Sequence, residues 1–154
     1  MGDSGPALRL EEYFAGRVMA DGVFQDLTGK TVRQFQVTID GTWDGKTLTM
    51  NEDFLYSDGE TERRTWLIRK TGLAGYEGRA DNVVGTAKGE AEGNRLTWSY
   101  IFGLKIAGRV WNVRFTDWFH LFDDGVLINR ADVSKFGVKL GQATIVFRKE
   151  SQST

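Results

Sequence analysis

The stretch Arg95–Leu121, RLTWSYIFGLKIAGRVWNVRFTDWFHL, decides the fold of this 154-residue chain. Residues alternate in character on both sides of Ala107-Gly108, a pair suited to the positive φ of a tight hairpin. Folding the chain back there sets Leu104, Phe102, Tyr100 and Trp98 opposite Trp111, Val113, Phe115 and Asp117. Large apolar groups then share one face of two antiparallel strands, and one carboxylate stands among them.

The same logic extends outward through four more glycine turns. A two-residue turn at Asp44-Gly45 places Phe35, Val37 and Ile39 opposite Phe54, Glu52 and Met50. A three-residue turn at Ser57-Asp58-Gly59, with Gly59 as a bulge residue, sets Met50 against Trp66, Leu48 against Ile68 and Glu52 against Arg64. Gly93-Asn94 aligns Gly85, Ala87, Gly89 and Ala91 with Phe102, Tyr100, Trp98 and Leu96. At Asp123-Asp124-Gly125 a three-residue loop turns Asn129 inward beside Asp117, whereas a two-residue loop turns Arg130 inward.

Strands are expected at about 17–25, 31–43, 46–56, 60–70, 75–80, 83–92, 95–106, 109–122, 126–132 and 136–149. Helical signal is confined to a turn or two within Ala7–Phe14 and a short helical or irregular piece near Asp132–Phe136. Consecutive strands joined by short turns make an up-and-down meander, and closure removes its bare edges. The expected fold is all-β, a single antiparallel barrel of about nine or ten strands. Residues 1–10 are expected as a flexible lead, 11–150 as the barrel and 151–154 as a disordered tail.

Composition narrows the chemistry. Nineteen glycines with a single proline suit many strands, and twenty basic against twenty-one acidic residues, interspersed with no polybasic patch, leave no net field for nucleic acid or an anionic membrane. With no cysteine and one histidine, disulfides, thiolate nucleophiles and multi-histidine metal sites are excluded. His120 falls on the outer face with Arg114, Thr116 and Trp118, away from Asp117. Gly41–Thr47 resembles a phosphate-binding loop but is one residue short and sits on a hairpin. No apolar stretch approaches the length of a membrane span. Met1–Leu10 has no basic n-region or apolar h-region, and Pro6 stands where a myristoylation start needs Ser or Thr.

Three charges lie on inward stripes: Glu52, Arg64 and Asp117. Removing an isolated charge from water costs several kcal/mol, so each needs a partner. A satisfied Glu52–Arg64 pair, with Asp117 held by Trp98 or an asparagine, is one reading. A wet cavity in which these groups orient a ligand's polar head is the other; a guanidinium beside Trp66 suits an oxyanion. The Gly/Ala inner face of strand 83–92 beside the Trp, Tyr and Phe of its neighbour marks either large-to-small packing or a side cavity.

Glu52–Glu60 followed by Arg64-Thr65-Trp66, the stretch Tyr76–Ala87, and Trp98-Ser99-Tyr100, Asp117-Trp118 and Ile128-Asn129-Arg130 resemble a bacterial family of unknown function with lipoprotein character. So do Lys135-Phe136-Gly137 and Val146–Lys149, and the resemblance covers about Leu10 to Lys149. It implies a calycin-like or lipocalin-like barrel in the cell envelope, with no assigned catalytic residues. Residues 1–154 show neither a signal peptide nor a cysteine to lipidate, so a cytoplasmic place, or a form whose leader has been removed, stays open beside the envelope.

The functional expectation is a barrel for a small amphipathic molecule, partly apolar with an anionic head, needing no cofactor. Arg64 meets the head, Glu52 and Asp117 orient Arg64 and water, and Trp66, Trp98, Tyr100, Phe115 and Asn129 complete the site. The alternatives are an enzyme using Glu52 or Asp117 as general acid or base, and a dry-cored structural protein. Outward Leu67, Ile101 and Trp118 leave room for a weak homodimer.

Overall fold

The computed structural model describes residues 6–150. The expected tail 151–154 and the Met1-Gly2 start lie outside them. After a short helix, α1 (Leu10–Tyr13), ten strands follow: β1 (Gly16–Asp26), β2 (Thr31–Trp43), β3 (Thr47–Tyr56), β4 (Thr61–Lys70) and β5 (Gly75–Ala80). The second half is β6 (Val83–Glu92), β7 (Arg95–Ile106), β8 (Arg109–Leu121), β9 (Leu127–Lys135) and β10 (Val138–Lys149). Each strand pairs antiparallel with its chain neighbour, and β1 pairs with β10 to close the barrel. Closure satisfies both would-be edges.

Two hairpins keep the expected register residue for residue. Leu104↔Trp111 through Trp98↔Asp117 join β7 to β8, and Leu48↔Ile68, Met50↔Trp66 and Glu52↔Arg64 join β3 to β4. The three-residue loop at Asp123–Gly125 turns Asn129 inward and leaves Arg130 exposed.

Two other hairpins differ. Between β2 and β3 the partners are Val37↔Phe54 and Ile39↔Glu52, two residues from expectation. The Asp44 carboxylate accepts the N–H groups of Lys46 and Thr47 at 2.8 and 2.7 Å, which moves the turn one residue along. A shift of two keeps every side chain on its face. Between β6 and β7, Gly89↔Trp98 and Ala91↔Leu96 hold, but the ladder shifts between Val84 and Lys88. A positive φ of 74° at Gly85 accompanies the bulge, so Val83, not Gly85, faces Phe102. The irregular piece expected near Asp132–Phe136 is strand instead. Val133 pairs with Phe115 and is buried, and the chain turns at Phe136-Gly137.

One end of the barrel is plugged by the N-terminal segment. Leu8 N–H bonds Gly93 O at 2.8 Å, and Tyr13 Oη donates to Gly125 O at 2.7 Å. Glu11 accepts from Tyr76 Oη at 2.6 Å and pairs with Lys70 at 2.8 Å. Leu8 and Leu10 are buried, so the packed part of the chain begins before residue 10, where a flexible lead was expected. A packed cluster under the plug includes Leu8, Phe14, Val18, Ile39, Leu48, Leu96 and Leu127. Toward the other end the inward residues Phe24, Phe35, Phe54, Tyr56, Leu104 and Phe115 keep part of their surface accessible. The interior is therefore densely packed at its base, while inward side chains nearer the mouth are only part-buried.

Candidate functional site

Between base and mouth, β3, β4, β7 and β8 turn Glu52, Arg64, Tyr100 and Asp117 inward. Alternation places each on the inner face because apolar neighbours two residues away are buried there. Arg64 is largely buried, and its guanidinium lies 5.0 Å from the Phe54 ring centre and 4.7 Å from that of Phe102. Its Nη2 pairs with Glu62 Oε2 at 2.6 Å. Glu62 Oε1 accepts from Tyr56 Oη at 2.7 Å, and Arg33 lies 3.6 Å over the Tyr56 ring. A relay of charged and aromatic groups thus runs from the mouth to the interior.

This revises two expectations. Glu52 does stand opposite Arg64, but the ion pair belongs to Glu62. The rings flanking the guanidinium are those of Phe54 and Phe102, not Trp66. Glu62 and Tyr56 were missed, although their signal was present. Glu62 shares the inward parity of Arg64 and Trp66 on β4, and long side chains two apart on one face can span the roughly 6.5–7 Å between them.

Burial drives the electrostatics. It pushes the Glu52 carboxyl up to about 7, a rise opposed by the Arg64 charge, reinforced by that of Glu62 and opposed slightly by the Trp66 indole. The same cause raises Asp117 to about 7, with the Asn129 amide opposing. Asp117 is 5% exposed and its Oδ1 has no hydrogen-bond partner among the described residues. Burial, then the Asp117 charge, lifts the Tyr100 phenol well above its ordinary range, with Arg64 opposing. Tyr100 is accordingly a neutral O–H donor at any working pH.

Of the remaining expected residues, Trp66 and Trp98 meet edge to face at 5.8 Å and are both buried. Trp98 fills the space left by the glycines: a Cβ on Gly78 would come within 2.8 Å of its ring, and one on Gly89 closer still. The Gly/Ala face of β6 is large-to-small packing there, not a side cavity. Tyr100 stacks on Phe115 at 5.1 Å and 4°, and meets Trp66 edge to face at 5.3 Å. These two rings are part-buried. Asn129, buried behind Asp117, donates to Trp118 O at 3.3 Å. His120 is exposed on the outside, 3.2 Å from the Asn94 amide. A shallow depression of about 440 Å³ beside Thr71–Glu77 and Lys88–Glu90 holds none of the inward charges.

The arrangement gathers part-buried aromatic rings, two carboxyls whose pKa values lie near 7, a phenol and a guanidinium held by one carboxylate. No curated protein matches the chain. Among solved structures, an S-type phycobiliprotein lyase, CPES, from Guillardia theta is similar with a TM-score of 0.64. The match covers 94% of this chain and 92% of that one at 6% identity, a likeness of fold. A model of a family of proteins of unknown function, DUF3833, matches residues 1–149, and the chain belongs to that family.

Proposed function

We propose that this protein is a small-ligand-binding barrel that holds a partly apolar molecule in the half nearer its mouth, against Tyr100 and Phe115. The observation that carries this reading is Asp117 Oδ1, buried and without a donor, beside inward residues with accessible surface. A buried acceptor without a partner costs about 1–3 kcal/mol, which a ligand donor would recover.

The polar head is assigned from the charge balance. Glu52 and Glu62 share one interior guanidinium, already paired with Glu62, and Asp117 adds a third inward carboxyl. An anionic head, the expectation from Arg64 alone, would have to displace Glu62. A head that donates hydrogen bonds to Asp117 and Glu52 while accepting from Tyr100 and Arg64 fits without displacement. Lipoprotein character and an envelope setting belong to the same reading, supported by the sequence resemblance alone.

Native mass spectrometry of protein purified from its own host, with titration of its tryptophan fluorescence by dodecanamide and dodecanoate, tests the reading. A co-purifying mass, and dodecanamide binding weakened in Asp117→Asn, is the expected result. A ligand-free mass with no response to either amphiphile rejects it. Preference for dodecanoate, lost in Arg64→Gln, restores the anionic head.

A second reading, a general acid or base, is favoured by two carboxyls with pKa values near 7, where proton transfer is efficient at neutral pH. It requires a substrate turned over with a bell-shaped pH profile.

A further inference from the structure

At the mouth, the turns β1–β2, β9–β10 and β7–β8 are consecutive around the barrel, because β1 pairs with β10 and β8 with β9. They present Leu27, Val110, Trp111, Phe136 and Val138, all exposed, with Phe136 at 92%. The same arc carries Lys30, Lys105, Arg109, Lys135 and Lys139. Its two acids are fewer than its cations: Asp26 accepts the N–H groups of Thr28 and Lys30, and Asp132 pairs with Lys139 at 3.2 Å, which leaves a basic excess. The opposite arc, formed by the β3–β4 and β5–β6 turns, carries Asp58 and Glu60, which share Arg33 at 3.3 and 3.2 Å, and Asp81. Nearly balanced overall, the chain is polarised across this rim.

Phe136 is held against its local preference. It takes φ 52° and Gly137 φ 78°, the conformation of a two-residue hairpin turn in which asparagine is the favoured first residue. A bulky side chain in the left-handed region is strained and finds no packing here to compensate, a combination that marks functional positions. Lys135 Nζ lies 4.7 Å from the Phe136 ring and 5.9 Å from that of Trp111.

We propose that this arc docks the barrel mouth on an anionic lipid surface. Aromatic and aliphatic tips would enter the headgroup boundary, and the cations would meet lipid phosphates, the pairing that holds interfacial proteins. The acidic arc would stay in water, so the barrel sits tilted with its opening beside the bilayer. A partly apolar ligand could then pass from membrane to interior without crossing water.

Co-sedimentation with phosphatidylcholine vesicles, with and without phosphatidylglycerol, tests this. Binding is expected only with phosphatidylglycerol, and high salt should release it. Phe136→Asn should lower vesicle affinity about tenfold while leaving the melting temperature unchanged or raised, since Asn-Gly suits the turn. The pair Lys30→Gln and Arg109→Gln should cost about fivefold per charge. Glu52→Gln should bind vesicles like wild type, which separates this surface from the interior site. Equal binding to both vesicle types, or undiminished binding by Phe136→Asn, overturns the proposal. So does a concentration-dependent dimer abolished by Phe136→Asn, which would assign the arc to a second copy.

Discussion

Asp117 shows how one residue couples the interior to pH. Its folded pKa, raised to about 7 from an ordinary 3.8, means the folded protein keeps a proton that the unfolded chain has released. Below about pH 4 both states are protonated and nothing is lost. Between about pH 4 and 7 the unfolded state gains relative stability, and above 7 the loss is complete, on the order of 4 kcal/mol. Asp117→Asn removes the titration at nearly constant volume. Melting followed at about pH 5 and about pH 8 should show the variant gaining on wild type at the higher pH. A constant difference would mean that the carboxyl is ionised freely in the fold.

Neither the partner of Arg64 nor the state of Asp117 was legible at this scale. The turn Ser57-Asp58-Gly59 correctly placed Glu52 opposite Arg64. Which carboxylate the guanidinium grips depends on side-chain reach, and Glu62 lies on the same strand face.

Turns and close approaches decide matters at the scale of elements. Gly41 sits where β2 passes the end of the N-terminal segment, and a Cβ there would strike the Phe14 carbonyl, a backbone group that cannot rotate away. Gly41→Ala should therefore cost about 3 kcal/mol, roughly 6–12 °C in melting temperature. Differential scanning calorimetry checks this, and a shift within a degree or two would show that the plug yields easily. The Asp44 loop and the Gly85 bulge mark the limit of reading hairpins from turn residues. Asp44 could sit inside the turn or cap it, and only its bonds to Lys46 and Thr47 distinguish the two. The expected faces survived because the error was two residues rather than one.

Across the whole molecule, packing is concentrated at the plugged base, away from the proposed binding residues. Leu8, 2% exposed, reaches the packed cluster from outside the strands. Leu8→Ala should destabilise the barrel by about 2–5 kcal/mol, yet leave amphiphile binding unchanged below its melting temperature, because Glu52, Arg64 and Asp117 lie above the packed base. Loss of binding along with stability would instead make the plug part of the site.

By itself the sequence determined the all-β meander, the inward faces, two complete hairpin registers and the inward parity of two acids and an arginine. Those properties follow from period-two alternation and turn chemistry, which act over a few residues. Only the tertiary structure decided that Leu8 is core, that Glu62 holds Arg64, that Trp98 fills the glycine face, and that inward side chains are fully buried at one end and part-buried at the other. Each of these depends on closing ten strands into a ring, which brings β1 to β10 and sets the volume left between side chains far apart in the chain.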